Sequence, residues 1–145
     1  MALLEPDEEI GQRVKLGELV MESRLSAIPS VIEILWADPE VSSRLRDRHS
    51  DLEVAVREAL SNAVVHGNKQ EMARHVYVGW FCEPDGSVSI VIRDEGAGFN
   101  PADVPAKPLK EDLGYGIAMM KRHMDEVRFQ RAGTETYMRI AGAKS

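Results

Sequence analysis

Cys82 is the single cysteine in 145 residues, which excludes an intramolecular disulfide and a zinc cage built from cysteines. The apolar runs are a few residues long, far short of the ~20 that span a bilayer. The opening MALLEPDEEI lacks the basic start and apolar core of a signal peptide. These absences predict a chain that stays in the reducing cytoplasm and has no membrane contact of its own. Basic charge is also short: 18 Lys and Arg stand against 24 Asp and Glu, for a net charge of -6. A clustered Lys/Arg footprint is missing with it, so no nucleic-acid partner is expected. Internal repeats, heptads and low-complexity tracts are absent, as are the P-loop and the complete G-x-G-x-x-G fingerprint.

What is present is ordinary globular material, 43% apolar and 29% charged, enough for one domain over 1–145. RVKLGELVMESR (13–24) reads as a strand bent at Gly17, and SAIPSVIEILWAD as an amphipathic helix with Ser26 as cap, Pro29 in its first turn and Ile28, Ile32, Leu35 and Trp36 on one face. A second helix is expected over 51–66. HVYVGWF and SVSIVIRD form a hairpin about Pro84-Asp85-Gly86, and EVRFQR and ETYMRIA a second about Ala132-Gly133-Thr134. Residues 95–113 read as a loop long enough to imply a function, and 117–124 as a short helix with Ile117, Met120 and Met124 on one face. Helices on one face of a mostly antiparallel sheet make an α+β two-layer sandwich.

Three stretches carry chemistry. In REALSNAVVHGN, at 100° per residue, Leu52, Val56, Ala59, Leu60 and Ala63 share one face, and Glu53, Arg57, Ser61 and Asn68 an outward arc. Glu58, Asn62 and His66 run along the remaining side, interleaved with Val54, Ala55 and Val65. A solvated polar stripe would explain them, and for His66 alone that is the preferred reading. A carboxylate one turn from an amide also suits phosphoryl chemistry: the amide oxygen can hold Mg²⁺, and the carboxylate can take a proton from an attacking hydroxyl.

In SVSIVIRDEGAGF, Asp94 has the parity of Val88, Ile90 and Ile92 and so points with the core side chains. A carboxylate there needs a donor, and an adenine amino group would serve. Gly96 and Gly98 let the backbone turn and approach a flat ring. An Asp-Gly turn that merely ends a strand fits equally well. In DLGYGIAMMKRHM, Gly114 and Gly116 are expected just before a helix, where free N–H groups favour a phosphate. Met119, Met120 and Met124 are core residues in this reading.

Taken in order, E-x-x-x-N on a helix, D-x-G-x-G-F after a hairpin, a long lid, G-x-G before a helix and a hairpin opening on Gly133-Thr134 resemble the GHKL (Bergerat-fold) ATP-binding superfamily. EVAVREALSNAVVHGN and IRDEGAGFNP resemble most the anti-sigma-factor serine/threonine kinases, and the likeness spans about 14–141. It implies ATP and Mg²⁺ as cofactors, with Glu58 as the base and Asn62 on the metal. It puts Asp94 on the adenine amine, Gly96 and Gly98 at the ring, Gly114 and Gly116 at the phosphates, and Thr134 beside the adenine, with Lys110 and Tyr115 as further nucleotide contacts. It implies a homodimer that sequesters a sigma factor or similar regulator and phosphorylates a STAS-type antagonist. One position departs from the pattern: two residues before the G-x-G, where such kinases often carry an arginine, stands Asp112, with Lys107 and Lys110 upstream. A binding module that exchanges partners without transfer is therefore the second reading. The catalytic half of a histidine kinase is the third, since none of His49, His66, His75 or His123 lies on a bundle-like helix.

Overall fold

The computed structural model describes residues 13–103 and 113–142. Five strands, β1 (Val14–Glu22), β2 (His75–Cys82), β3 (Val88–Arg93), β4 (Glu126–Gln130) and β5 (Glu135–Ile140), form one antiparallel sheet in the order β1-β2-β3-β5-β4. Four helices, α1 (Ile28–Ala37), α2 (Pro39–Arg44), α3 (His49–Asn62) and α4 (Leu113–His123), complete it. The α+β two-layer arrangement expected from the sequence is the one observed.

Alternation along the strands decides which side the helices cover. Val76, Val78 and Trp80 of β2, Val88, Ile90 and Ile92 of β3, and Met138 and Ile140 of β5 are buried in one cluster with Leu52, Val56, Ala59, Leu60 and Ala63 from the α3 region. Ile117, Met120 and Met124 join it from α4. On the opposite face Phe81, Val91 and Tyr137 form a smaller cluster, with Tyr77 against it. Gly17 sits at a shift of register between β1 and β2, and a Cβ there would collide with the Trp80 indole.

Several local expectations need correction. Ser26 does not cap α1: Leu25–Ala27 forms a 3-10 turn, and α1 starts on Ala27 without a side-chain cap, with proline in its first turn. A helix that the periodicity did not reveal, α2, starts at Asp38, whose Oδ1 accepts from Glu40 N at 2.9 Å, followed by Pro39. Asp38 Oδ2 also accepts from the Trp80 indole at 2.9 Å, so one carboxylate starts α2 and ties it to β2. The second helix begins earlier than expected and its regular part ends at Asn62. Ala63–Gly67 is a π turn, with Asn68 N donating to Ala63 O at 2.7 Å, five residues back. That widening rotates the residues after it, so Asn68, expected outside, is completely buried. Ala55, read as part of the polar stripe, is buried as well. Finally, α4 already includes Gly114 and Gly116 in its first turn instead of starting after them.

Candidate functional site

Between α3, α4 and the ends of β3 and β5 lies a partly open cavity of about 450 Å³. Asn62 and Ala59 of α3 line one wall, and Asp94 and Ile92 another. Gly98 and Phe99 come from the loop after β3, and Phe129 and Thr136 from the second hairpin.

Asp94 is held by its backbone. Its N–H donates to Thr134 O at 2.9 Å, and its Oδ1 accepts from Gly96 N at 2.8 Å. Burial pushes its carboxyl above the ordinary value, opposed by the Gly96 N–H and by the charge of Arg74. A carboxylate kept half-buried with one oxygen not taken by a described residue suits a directional donor on a ligand. Gly67 makes room for it, since a Cβ at Gly67 would run into the Asp94 carboxylate. Gly98 has φ +83°, and a Cβ there would collide with Ala132 O, in the place where Phe99 N donates to that same carbonyl at 2.9 Å. Phe99 and Phe129 meet edge to face with centroids 5.2 Å apart, an aromatic boundary beside the Asp94 end.

The opposite end is built on α3 and α4. Asn62 Nδ2 is buried without a hydrogen-bond partner. A Cβ on Gly116 would stand 2.7 Å from Asn62 Nδ2 and 2.8 Å from Oδ1, so Gly116 is where the amide rests against α4. Glu58 precedes Asn62 by one turn, about 6 Å along α3. It is half-buried, does not line the cavity, and makes no hydrogen bond or ion pair with any described residue.

Of the residues singled out in the sequence, Asn62, Asp94 and Gly98 line the cavity together. Gly96 lies behind Asp94, against Gly67 O. Thr134 does not line it: its hydroxyl donates to Arg131 O at 2.8 Å, and Thr136, two residues on, faces the cavity in its place. Gly114 is buried and Tyr115 half-buried in α4, and neither lines the cavity. Lys107, Lys110 and Asp112 lie outside the described residues. His66 is exposed at the cavity edge.

Gly67, Asn68, Phe99, Phe129 and Thr136 were missed. For Thr136 a signal existed: it shares strand parity with the buried Met138 and Ile140, the argument that picked out Asp94. For Gly67 none did, because a glycine closing a helix reads as an ordinary cap.

The residues present fit a magnesium nucleotide. Mg²⁺ takes few protein oxygens beside phosphates and waters. A single Asn62 amide, with no cluster of three or more His, Cys, Asp or Glu among the described residues, is a donor set of that kind.

Residues 22–140 match the histidine kinase-like ATPase domain family. Over 102 residues the chain is 34% identical to the anti-sigma F factor of Priestia megaterium, a stretch covering 64% of this chain and 69% of that protein. It is 33% identical over 108 residues to the anti-sigma F factor of Geobacillus thermodenitrificans, covering 68% and 73%. Among solved structures, the fold is similar to that of the RsbU and RsbW domains of a Mycobacterium tuberculosis protein, with TM-score 0.58, 19% identity, and 87% of this chain against 32% of that one. It is also similar to the histidine kinase domain of a blue-light activated kinase from Erythrobacter litoralis, with TM-score 0.54, 13% identity, and coverage of 81% and 60%. With a family match that runs from the last residue of β1 to the last residue of β5 and encloses the whole cavity, the chain belongs to the histidine kinase-like ATPase domain family, on the GHKL branch that holds the anti-sigma F factors.

Proposed function

We propose that the chain is a cytoplasmic, ATP-dependent serine/threonine kinase of the anti-sigma type, which sequesters a sigma factor or similar regulator and phosphorylates a STAS-type antagonist. One observation carries the reading: a buried carboxylate and a buried amide without a partner stand on opposite walls of one cavity, with a second carboxylate one turn beyond the amide. The names of the anti-sigma F factor relatives support the partners.

In this reading Asp94 accepts from the adenine amine, with Gly96 shaping its turn and Gly98 and Phe99 at the ring. Asn62 holds Mg²⁺, Gly114 and Gly116 meet the phosphates at the start of α4, and Lys110 and Tyr115 add nucleotide contacts. The metal, when bound, neutralises charge on the phosphates. Glu58 accepts the proton of the attacking hydroxyl. A second copy of the chain packs on the sheet face that the helices leave open, where Val20, 44% exposed, pairs in register with Tyr77 beside Phe81, Val91 and Tyr137.

The test is a pull-down from native lysate with ATP and with ADP, then phosphopeptide mapping of the captured antagonist. A phosphoserine or phosphothreonine formed only with ATP is the expected result. Capture that depends on nucleotide, with no phosphate transferred to a verified antagonist, establishes instead the binding module that the acidic Asp112 favours.

A further inference from the structure

Asn68 lies outside the cavity, yet its side chain joins three elements. Its Nδ2 donates to Ser23 Oγ, just past β1, and to His75 O, at the start of β2, both at 3.0 Å. Its Oδ1 accepts from Glu95 N at 2.8 Å. Three consecutive amides after β3 are thus each held by a different acceptor: Asp94 N by Thr134 O, Glu95 N by Asn68 Oδ1, and Gly96 N by the Asp94 carboxylate itself. The Glu95 side chain is anchored in addition by the His75 N–H and the Tyr77 hydroxyl. Asn68 is completely buried, and among the described residues it supplies the only side chain that joins the α3 end of the site to the turn carrying Asp94.

We infer that Asn68 is a positioning residue for nucleotide recognition, acting through the Glu95 amide to fix the Asp94 carboxylate against Gly67. The inference rests on the reading of Asp94 as the adenine acceptor. The chemistry selects asparagine: two donors and one acceptor are used at once, and neither serine nor aspartate provides that set. The π turn supplies the geometry, since a regular helix through residue 68 would turn this side chain outward. Loss of the side chain leaves Glu95 N without its acceptor and frees the turn to shift. Adenine recognition suffers, while Glu58 and Asn62, on the regular part of α3, keep their places.

A double-mutant cycle on the full chain separates positioning from general support. ATP affinity is measured by calorimetry for wild type, Asn68→Ala, Asp94→Asn and the double variant, each shown folded by circular dichroism. Asn68→Ala is expected to weaken ATP by about tenfold, the usual result of unmaking a buried hydrogen bond, and to have no further effect in the Asp94→Asn background. Under single turnover its loss is expected at low ATP and to disappear at saturation. A folded Asn68→Ala that binds ATP as wild type does, or that weakens it equally in both backgrounds, overturns the inference alone. An Asp94→Asn protein with unchanged ATP affinity overturns the adenine assignment and this inference together. Where Asn68→Ala fails to fold, Asn68→Ser enters the same cycle with the same two deciding outcomes.

Discussion

The two ends of the cavity are built on opposite plans. At the Asp94 end every amide of the turn is already bonded, the carboxylate is packed against Gly67, and Asn68 and Glu95 brace the turn from behind. At the Asn62 end the amide nitrogen has no partner and Glu58 is bonded to no described residue. The difference separates recognition from chemistry. A group that reads a ligand gains by being fixed beforehand, whereas groups that hold a cation and move a proton are completed only when the ligand brings the charge they serve.

The contrast breaks most visibly at Glu58. Glu58→Gln keeps size and polarity, so it is expected to bind Mg·ATP as wild type does and to transfer phosphate at least about 100-fold more slowly under single turnover. Equal transfer by the variant removes Glu58 from the chemistry and leaves that end with no assigned base. At the other end, Asp94→Asn turns a donor toward the adenine amine and is expected to raise the ATP dissociation constant by about tenfold or more. Calorimetry on a folded variant checks it.

The glycines sharpen the comparison with smaller effects, each expected at a few-fold in affinity, on the scale of about 1 kcal/mol for a modest displacement. Gly67→Ala pushes on the Asp94 carboxylate and is expected to weaken binding equally with magnesium and without it. Gly116→Ala pushes on the Asn62 amide and is expected to weaken only the magnesium-dependent part. Titrations with and without EDTA separate the two, and identical profiles would join the ends into a single unit.

The smallest effect belongs to neither end. Arg48 donates to Asp51 at 2.8 Å and to Asp125, His123 O and Ala141 O, while His123 Nδ1 meets Asp51 Oδ1 at 2.8 Å. His123 and then Arg48 hold the Asp51 carboxyl below its ordinary value. A depressed carboxyl stabilises the fold above its unfolded value, and that contribution is lost as pH falls through the lowered one. Asp51 is partly exposed, so Asp51→Asn is expected to lower stability by no more than about 1 kcal/mol at neutral pH. The gap to wild type should close in acid, read by urea unfolding across pH, with ATP affinity unchanged.

Much of this was legible in the residues. The two hairpins announced themselves by alternation and by their turns, and Asp94 by its parity among Val88, Ile90 and Ile92. Glu58 and Asn62 stood out because charge on an alanine-rich helix is unusual. The failures have a common cause in competition with a regular pattern. Asp38-Pro39-Glu40 holds a cap and a first-turn proline, yet six residues of helix are too short for a period to show. Asn68 was placed outside because 100° steps were carried through a segment that winds more widely. Thr134 was chosen over Thr136 by its place after Gly133, although strand parity favours Thr136, and its hydroxyl is used within its own turn.

The π turn has a further consequence, for how this chain can change length. Most surface connections absorb a gained or lost residue at little cost, since chain closure depends weakly on length. Ala63–Gly67 cannot, for it is in effect an insertion already, held in place by the Asn68 N to Ala63 O bond at 2.7 Å. Removing one residue there would restore a regular helix and swing Asn68 through about 100°, taking it from Ser23, His75 and Glu95 in one step. Point substitutions in the segment should be tolerated far more readily than single-codon deletions, and a deletion scan of residues 60–72 should show its deepest loss of ATP binding between 63 and 67.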